Sequence, residues 1–231
     1  MISKILNFFK KPKKGQLLQL SSSEMQEKLD EGVIMYDTEI VGYANREIQW
    51  KTYETIASLI PQEKSILDFG CGRGDFAGWY NSDKNTIKYT GVDFNQTLID
   101  AGNKLYDIPG TELICSNWDK IKVKADWCIN INSNNYLYKI PGFKIVSKKF
   151  QTPEYSFSNA KRTIEKMYDC ANEGVVITMA SELVNDDNSW IKFNPGDILN
   201  WARKKYTNVV IDHTIFQNSF ILVIYKNNQN G

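Results

Sequence analysis

Apolar and polar positions alternate along most of the chain with two different periods. Between Ala44 and Ile60 the apolar residues Ile48, Tyr53, Ile56, Ala57 and Ile60 recur at helical spacing, and Pro61 ends the helix they predict. A short apolar run, Ile66-Leu67, then reads as a buried strand. Strand-like runs follow at residues 86–92, 111–115, 125–131 and 174–179, and helical stretches at 75–80, 96–106 and 158–171 fit between several of them. Such alternation predicts a parallel sheet covered by helices on both faces. Asn194-Pro195 opens a further helix through about Lys205, with Asn194 as its cap. Two strands close the pattern, at 207–212 and 218–225, and the gap between them is too short for a crossover helix. They therefore form an antiparallel hairpin. The expected fold class is α/β.

Upstream of this region the pattern is weaker. Ser21 to Leu29 opens with serines followed by Glu24 and Gln26, a capping-box signature for a small helix. Residues 1–14 place Ile2, Ile5, Leu6, Phe8 and Phe9 ahead of four lysines around Pro12. The segment reads either as a short amphipathic helix in weak contact with an anionic membrane surface or as a terminus that frays or docks on its own domain. The division expected is a basic, apolar extension over residues 1–20 and one domain over 21–231.

Composition narrows the function classes. At 231 residues, 42% hydrophobic and 24% charged, the chain is long enough for one well-buried domain with additions. The net charge of +1 is uneven: residues 1–20 hold five lysines and no acid, which leaves 23 basic against 27 acidic residues, net −4, in the rest. That body is not built to attract polyanions, which makes a nucleic-acid partner unlikely without excluding one. The four cysteines lie far apart with no C-x-x-C pair, so a reducing, cytoplasmic setting fits better than a disulfide framework. A single histidine, His213, argues against a histidine-rich metal site, and no metal is expected. No apolar run reaches the length of a membrane span, which reads as a soluble chain.

The chemistry concentrates at residues 65–80, SILDFGCGRGDFAGWY. The strand ends in Asp68, and glycines follow at alternate positions, Gly70, Gly72 and Gly74, with a helix starting near Asp75. Missing side chains let the backbone bend sharply and a ligand approach closely, while the free N–H groups of the helix start face the turn. Packing alone also favours glycine there. Asp93, 19 residues after Gly74 at the end of the next strand, has the spacing of an acid that accepts hydrogen bonds from both ribose hydroxyls of a nucleotide. A cap for the helix that begins at Asn95 or Gln96 is the alternative.

These residues resemble the class I S-adenosylmethionine-dependent methyltransferases, whose first motif, acid-x-Gly-x-Gly-x-Gly, is matched by Asp68, Gly70, Gly72 and Gly74 over a likeness covering roughly residues 40–226. The resemblance implies a Rossmann-like, doubly wound seven-stranded sheet, mostly parallel with an antiparallel last strand. It implies that the turn, Cys71 included, holds the methionine part of the cofactor S-adenosyl-L-methionine, that Asp93 holds the ribose and that Phe94 packs against adenine. Trp118 and Asp119, after the third strand, fit an adenine site as backbone donor and carboxylate, or else a turn anchored by a buried tryptophan. The fourth strand runs into Asn130, Asn132, Ser133, Asn134, Asn135 and Tyr136, and its end faces the methyl donor in this family. Ser133-Asn134-Asn135-Tyr136 lacks the paired prolines of nucleobase-amine methyltransferases, and no Pro-Cys nucleophile is present, so DNA base methylation is not expected.

Arg46, and less surely Tyr43, lie where the family closes over the cofactor, so Arg46 either pairs with the methionine carboxylate or sits on a solvated helix face. His213, at the end of the sixth strand, is the candidate catalytic base, with Glu182 and Asp119 competing and a structural role as the alternative. Residues 136–157, rich in Tyr and Lys, read as a lid or substrate loop, with Lys139, Lys144, Lys148 and Lys149 either meeting an anionic substrate or keeping the loop soluble. The expected activity is methyl transfer to an oxygen or nitrogen of a small-molecule or sugar-like acceptor. An RNA or protein methyltransferase and a non-catalytic cofactor-binding subunit are the alternatives, and neither the acceptor nor the oligomeric state is legible.

Overall fold

The computed structural model describes residues 46–81, 87–133, 153–183, 191–216 and 218–226. Its helices are α1 (Arg46–Ser58), α2 (Asp75–Asn81), α3 (Gln96–Leu105), α4 (Pro153–Cys170) and α5 (Pro195–Arg203). Its strands are β1 (Ile66–Phe69), β2 (Tyr89–Asp93), β3 (Thr111–Cys115), β4 (Ala125–Ile131), β5 (Ala171–Ala180), β6 (Asn208–Asp212) and β7 (Ser219–Tyr225). A single 3-10 turn, Trp118–Lys120, lies between β3 and β4.

The strands form one seven-stranded sheet in the order β3-β2-β1-β4-β5-β7-β6. β1 pairs in parallel with β2 and β4, β2 with β3, and β4 with β5. β7 runs antiparallel to both β5 and β6, so the closing hairpin is present and its second strand is the one inserted beside β5. Burial explains which runs are continuous. β1 and β2 are buried at every position, whereas the edge strands β3 and β6 mix exposed with half-buried positions. A central strand covered on both faces needs apolar residues at every step, and an edge strand does not.

Two apolar cores sandwich the sheet. One gathers Leu67, Val92, Cys128, Val175 and Ile177 under Ile164 and Met167 of α4 and Ile198 and Ala202 of α5. The other gathers Ile66, Tyr89, Ile129 and Val176 under Tyr53 and Ile56 of α1 and Phe76 and Ala77 of α2. The strand order reverses between β1 and β4. Ligands of open α/β sheets bind at such a switch, in the crevice beyond the carboxyl ends of the strands.

Helix ends follow the local chemistry. The Asn95 side chain accepts from Thr97 N and starts α3, and the Asn194 side chain accepts from Gly196 N and Asp197 N and starts α5, where Pro195 takes the first position. Several boundaries differ from the sequence pattern: β2 begins at Tyr89 rather than 86, and the largest shifts surround α4. α4 begins at Pro153 rather than Ser158, so residues 153–157 of the expected lid belong to a helix; residues 136–152 lie outside the described residues. β5 begins at Ala171 rather than Gly174 because α4 runs directly into it, with no turn residue to mark the change. The first 45 residues, including Tyr43 and the basic extension, also lie outside the described residues. Among those described, no helix is long and apolar enough to cross a membrane.

Candidate functional site

β1 delivers Asp68 to the upper end of the sheet and stops because Gly70, Gly72 and Gly74 all take positive φ, at +80°, +58° and +76°. An L side chain rarely adopts that region, so the alternate spacing of glycine is a conformational requirement of this turn. Gly70 N and Cys71 N donate to Val92 O of β2 at 2.7 and 3.1 Å, which folds the turn back over the sheet. Gly72 N donates to Asp93 Oδ2 at 3.0 Å and Asn95 N to Asp93 Oδ1 at 2.9 Å. Asp93 thus ties the turn to Asn95, the residue whose side chain caps α3, and retains capacity for a ligand, since a carboxylate has about four acceptor sites. Burial raises its pKa above the ordinary value, against the pull of these backbone N–H groups.

Asp68 is 2% exposed. Its Oδ2 accepts from the buried Tyr89 hydroxyl at 2.6 Å, and its Oδ1, also buried, has no hydrogen-bond partner among the described residues. Burial pushes this carboxyl up to about 7; the Tyr89 hydroxyl opposes the shift and the charge of Asp93 adds to it. A buried acceptor left without a hydrogen bond costs free energy, which sets Asp68 Oδ1 apart from the paired oxygens around it.

Behind the turn, Arg73 Nη2 pairs with Asp75 Oδ2 at 2.8 Å, and the Tyr106 hydroxyl at the end of α3 donates to Asp75 Oδ1 at 2.7 Å. Arg73 and Asp75 are both buried. Burial and the Asp75 charge raise the Tyr106 pKa, and the charges of Arg73 and Arg46 oppose that rise. Arg46 is exposed at the start of α1, its guanidinium 6.0 Å from the Trp50 ring, and is within electrostatic reach of this cluster. Cys71 is half-buried, and burial holds its thiol well above the ordinary range; its sulfur lies where Gly91 would carry a Cβ.

The remaining sequence candidates take up different stations. Phe94 follows Asp93 at the end of β2 and is 44% exposed. Trp118 is half-buried against the α4-side core with Arg162 over its ring at 5.5 Å, and Asp119 beside it is exposed. Asn130 is buried at the end of β4, its amide donating to Phe69 O at 2.8 Å and to Ser133 Oγ. Glu182 accepts from Asn194 Nδ2 at 2.6 Å, at the start of α5. His213 is half-buried beyond β6, edge-on to Phe220, and β6 lies three inter-strand steps from β4 at ~4.8 Å per step, or roughly 14 Å. The structure therefore brings Asp68, the glycines, Cys71, Asp93 and Asn130 together, with Phe94 next to Asp93 in the chain, and sets His213 apart. Among the described residues no cluster of three or more His, Cys, Asp or Glu side chains forms a metal site.

Three groups of the site were not singled out from sequence: Tyr89, the Arg73–Asp75–Tyr106 network and Thr178. Tyr89 had a signal, because a tyrosine inside a buried strand needs a partner for its hydroxyl. Thr178 had none.

No family model matches the chain, and no curated protein is similar to it in sequence. Solved structures are similar in shape. A plantazolicin methyltransferase, BpumL, in complex with a desmethyl plantazolicin analogue and S-adenosylhomocysteine superposes with a TM-score of 0.58 at 14% identity, over 89% of this chain and 94% of its own. Magnesium protoporphyrin IX methyltransferase from Synechocystis PCC 6803 with bound S-adenosylmethionine gives 0.56 at 14% identity, over 90% and 99%. A TehB-like S-adenosylmethionine-dependent methyltransferase from Corynebacterium glutamicum gives 0.54 at 13%, over 88% and 98%. The chain has the class I methyltransferase fold. At the strand-order switch this chain places Asp68 and Asp93 around the glycine turn and Asn130 at the end of β4.

Proposed function

We propose that the chain binds S-adenosylmethionine in the crevice at this switch and transfers its methyl group to an oxygen or nitrogen of a small-molecule or sugar-like acceptor. The observation that carries the reading is Asp68 Oδ1, a buried, unpartnered carboxylate oxygen beside a turn of three left-handed glycines. The residues present fit the cofactor. Asp68 Oδ1 is matched to an ammonium donor, the turn leaves room for close approach of a ligand backbone, and Asp93 retains acceptor capacity for ribose hydroxyls. Phe94 offers an aromatic face of the kind that covers a purine, and Trp118 and Asp119 follow the neighbouring strand. Arg46 stands at the start of α1 with a guanidinium suited to a carboxylate.

The bound cofactor supplies a methyl carbon already activated by its sulfonium. The chain's own task is then mainly alignment, since holding an acceptor in line removes much of the entropic barrier. Asn132 and Ser133 follow the end of β4, with the Ser133 side chain against Gly70 of the turn. Use of His213 as base requires an acceptor that reaches toward β6. The net charge of −4 outside residues 1–20 supports a small acceptor over a polyanion.

Calorimetry with S-adenosylhomocysteine tests the site without knowledge of the acceptor. Wild type binds, and Asp93→Ala weakens binding by about a hundredfold, the loss expected for two charge-assisted hydrogen bonds. Equal affinity in the two proteins removes the site. Methyl transfer from labelled cofactor across metabolite, RNA and protein panels then separates the acceptor classes, and the absence of any acceptor favours a binding subunit.

A further inference from the structure

β4 is apolar from Trp127 through Ile129 and again at Ile131, yet between them it buries an amide, Asn130, at 1% exposure. A buried amide costs free energy unless its hydrogen bonds are made, and an aliphatic residue would serve packing better. The backbone register between β1 and β4 runs to Asp68 opposite Ile129. At the next step side chains take over: Phe69 O accepts from Asn130 Nδ2 at 2.8 Å and from Ser133 Oγ at 3.2 Å, and Asn130 Nδ2 also donates to Ser133 Oγ. Phe69 O belongs to the peptide plane that opens the glycine turn, and the other end of that plane, Gly70 N, donates to Val92 O at 2.7 Å. The plane is thus gripped from β4 at one end and from β2 at the other. The Ser133 side chain also fills the space that a Cβ on Gly70 would need.

The tip of β4 is itself fastened on its far side. Asn132 has φ of +61°, and its N–H donates to Thr178 Oγ1 at 2.8 Å while that hydroxyl donates to Asn132 Oδ1 at 2.9 Å. Asn takes the left-handed region more readily than most non-glycine residues, and here both its N–H and its side chain are held by Thr178. Thr178 is buried on β5, so one polar chain crosses the tips of β1, β4 and β5 beside the crevice.

The geometry points to Asn130 and Ser133 as positioning residues that hold the Phe69–Gly70 peptide plane, and through it the whole glycine turn, in its ligand-ready conformation. The assignment rests on the function proposed above only for the ligand, because the clamp itself is a property of the free protein. Backbone amide exchange by NMR on Asn130→Ala and Ser133→Ala reads it directly. Exchange at Gly70, Cys71 and Gly72 rises by about tenfold while Leu67, in the middle of β1, is unchanged. Calorimetry with S-adenosylhomocysteine shows each variant weakened by about tenfold, and the double variant loses less than the product of the two, since both act on one carbonyl.

Exchange that rises equally at Leu67 and in the turn overturns the clamp in favour of plain destabilisation, as does wild-type affinity in both variants. If the wild-type protein fails to bind S-adenosylhomocysteine, the proposed function falls and the exchange pattern alone decides the clamp. Ser133→Ala removes only a half-buried hydroxyl, so it keeps the test open if Asn130→Ala does not fold.

Discussion

At the scale of the residue, Asp68 joins stability and ligand binding in opposite senses. Its folded pKa of about 7 lies above the ordinary carboxylate value, so the native state holds a proton that the unfolded chain has lost between about pH 4 and 7. The stability it contributes is complete below pH 4 and is lost as pH rises through 7. An ammonium donor needs the opposite, the ionised form. S-adenosylhomocysteine affinity is therefore expected to rise about tenfold per pH unit from 5.5 toward 7 and to level off above, in calorimetry at matched ionic strength. Asp68→Asn flattens that profile and reduces the fall in urea-melt stability over the same range, leaving the smaller contribution of Asp93, whose pKa is raised in the same direction. A profile in Asp68→Asn as steep as in wild type removes Asp68 from the site. The glycines beside it were legible because only one residue type tolerates positive φ without strain. Asn132, at +61°, was not, because its conformation is dictated by Thr178, 46 residues away.

Among the elements, the Arg73–Asp75–Tyr106 network fastens the glycine turn to the first turn of α2 and the end of α3. Asp75→Ala removes the buried carboxylate that Arg73 and Tyr106 share, and the expected loss is about 2–3 kcal/mol in a urea melt. Tyr106→Phe removes one hydrogen bond to the same carboxylate and costs about 1–2 kcal/mol. If both variants prove equally mild, the network is not holding the elements together. Gly102 in α3 gives an independent check on the packing. Alanine there gains up to about 1 kcal/mol in helix propensity, but its Cβ collides with Arg73 O, a backbone atom with little freedom to yield. Overpacking costs about 1–3 kcal/mol, so the collision wins and Gly102→Ala is expected to destabilise. Most elements are legible from their periodicity, although α4 starts at Pro153, five residues before the expected Ser158. The α4–β5 junction was misplaced because Cys170-Ala171 passes from helix to strand without a glycine or proline to signal it. The network was hidden for a related reason: a charged pair two residues apart looks solvated until α3 closes over it.

Over the whole molecule, strand order decides where ligand binding is felt. The reversal between β1 and β4 puts the crevice at the centre of the sheet, where strands are buried on both faces, with β1 bonded to both neighbours. A ligand held there contacts the part of the structure that opens only on global unfolding, so its binding energy appears in full in the stability of the chain. At a concentration 100 times its Kd, S-adenosylhomocysteine contributes about 2.7 kcal/mol. For a chain of 231 residues each kcal/mol moves Tm by about 2–4 °C, which gives a rise of about 5–10 °C in a thermal melt. The same concentration applied to Asn130→Ala stands at about ten times its weakened Kd and yields about half that rise, and Asp93→Ala shows almost none. The three shifts form an ordered series fixed in advance by the affinities. A ligand bound at the β6 edge near His213 breaks the series, because it stabilises all three proteins alike.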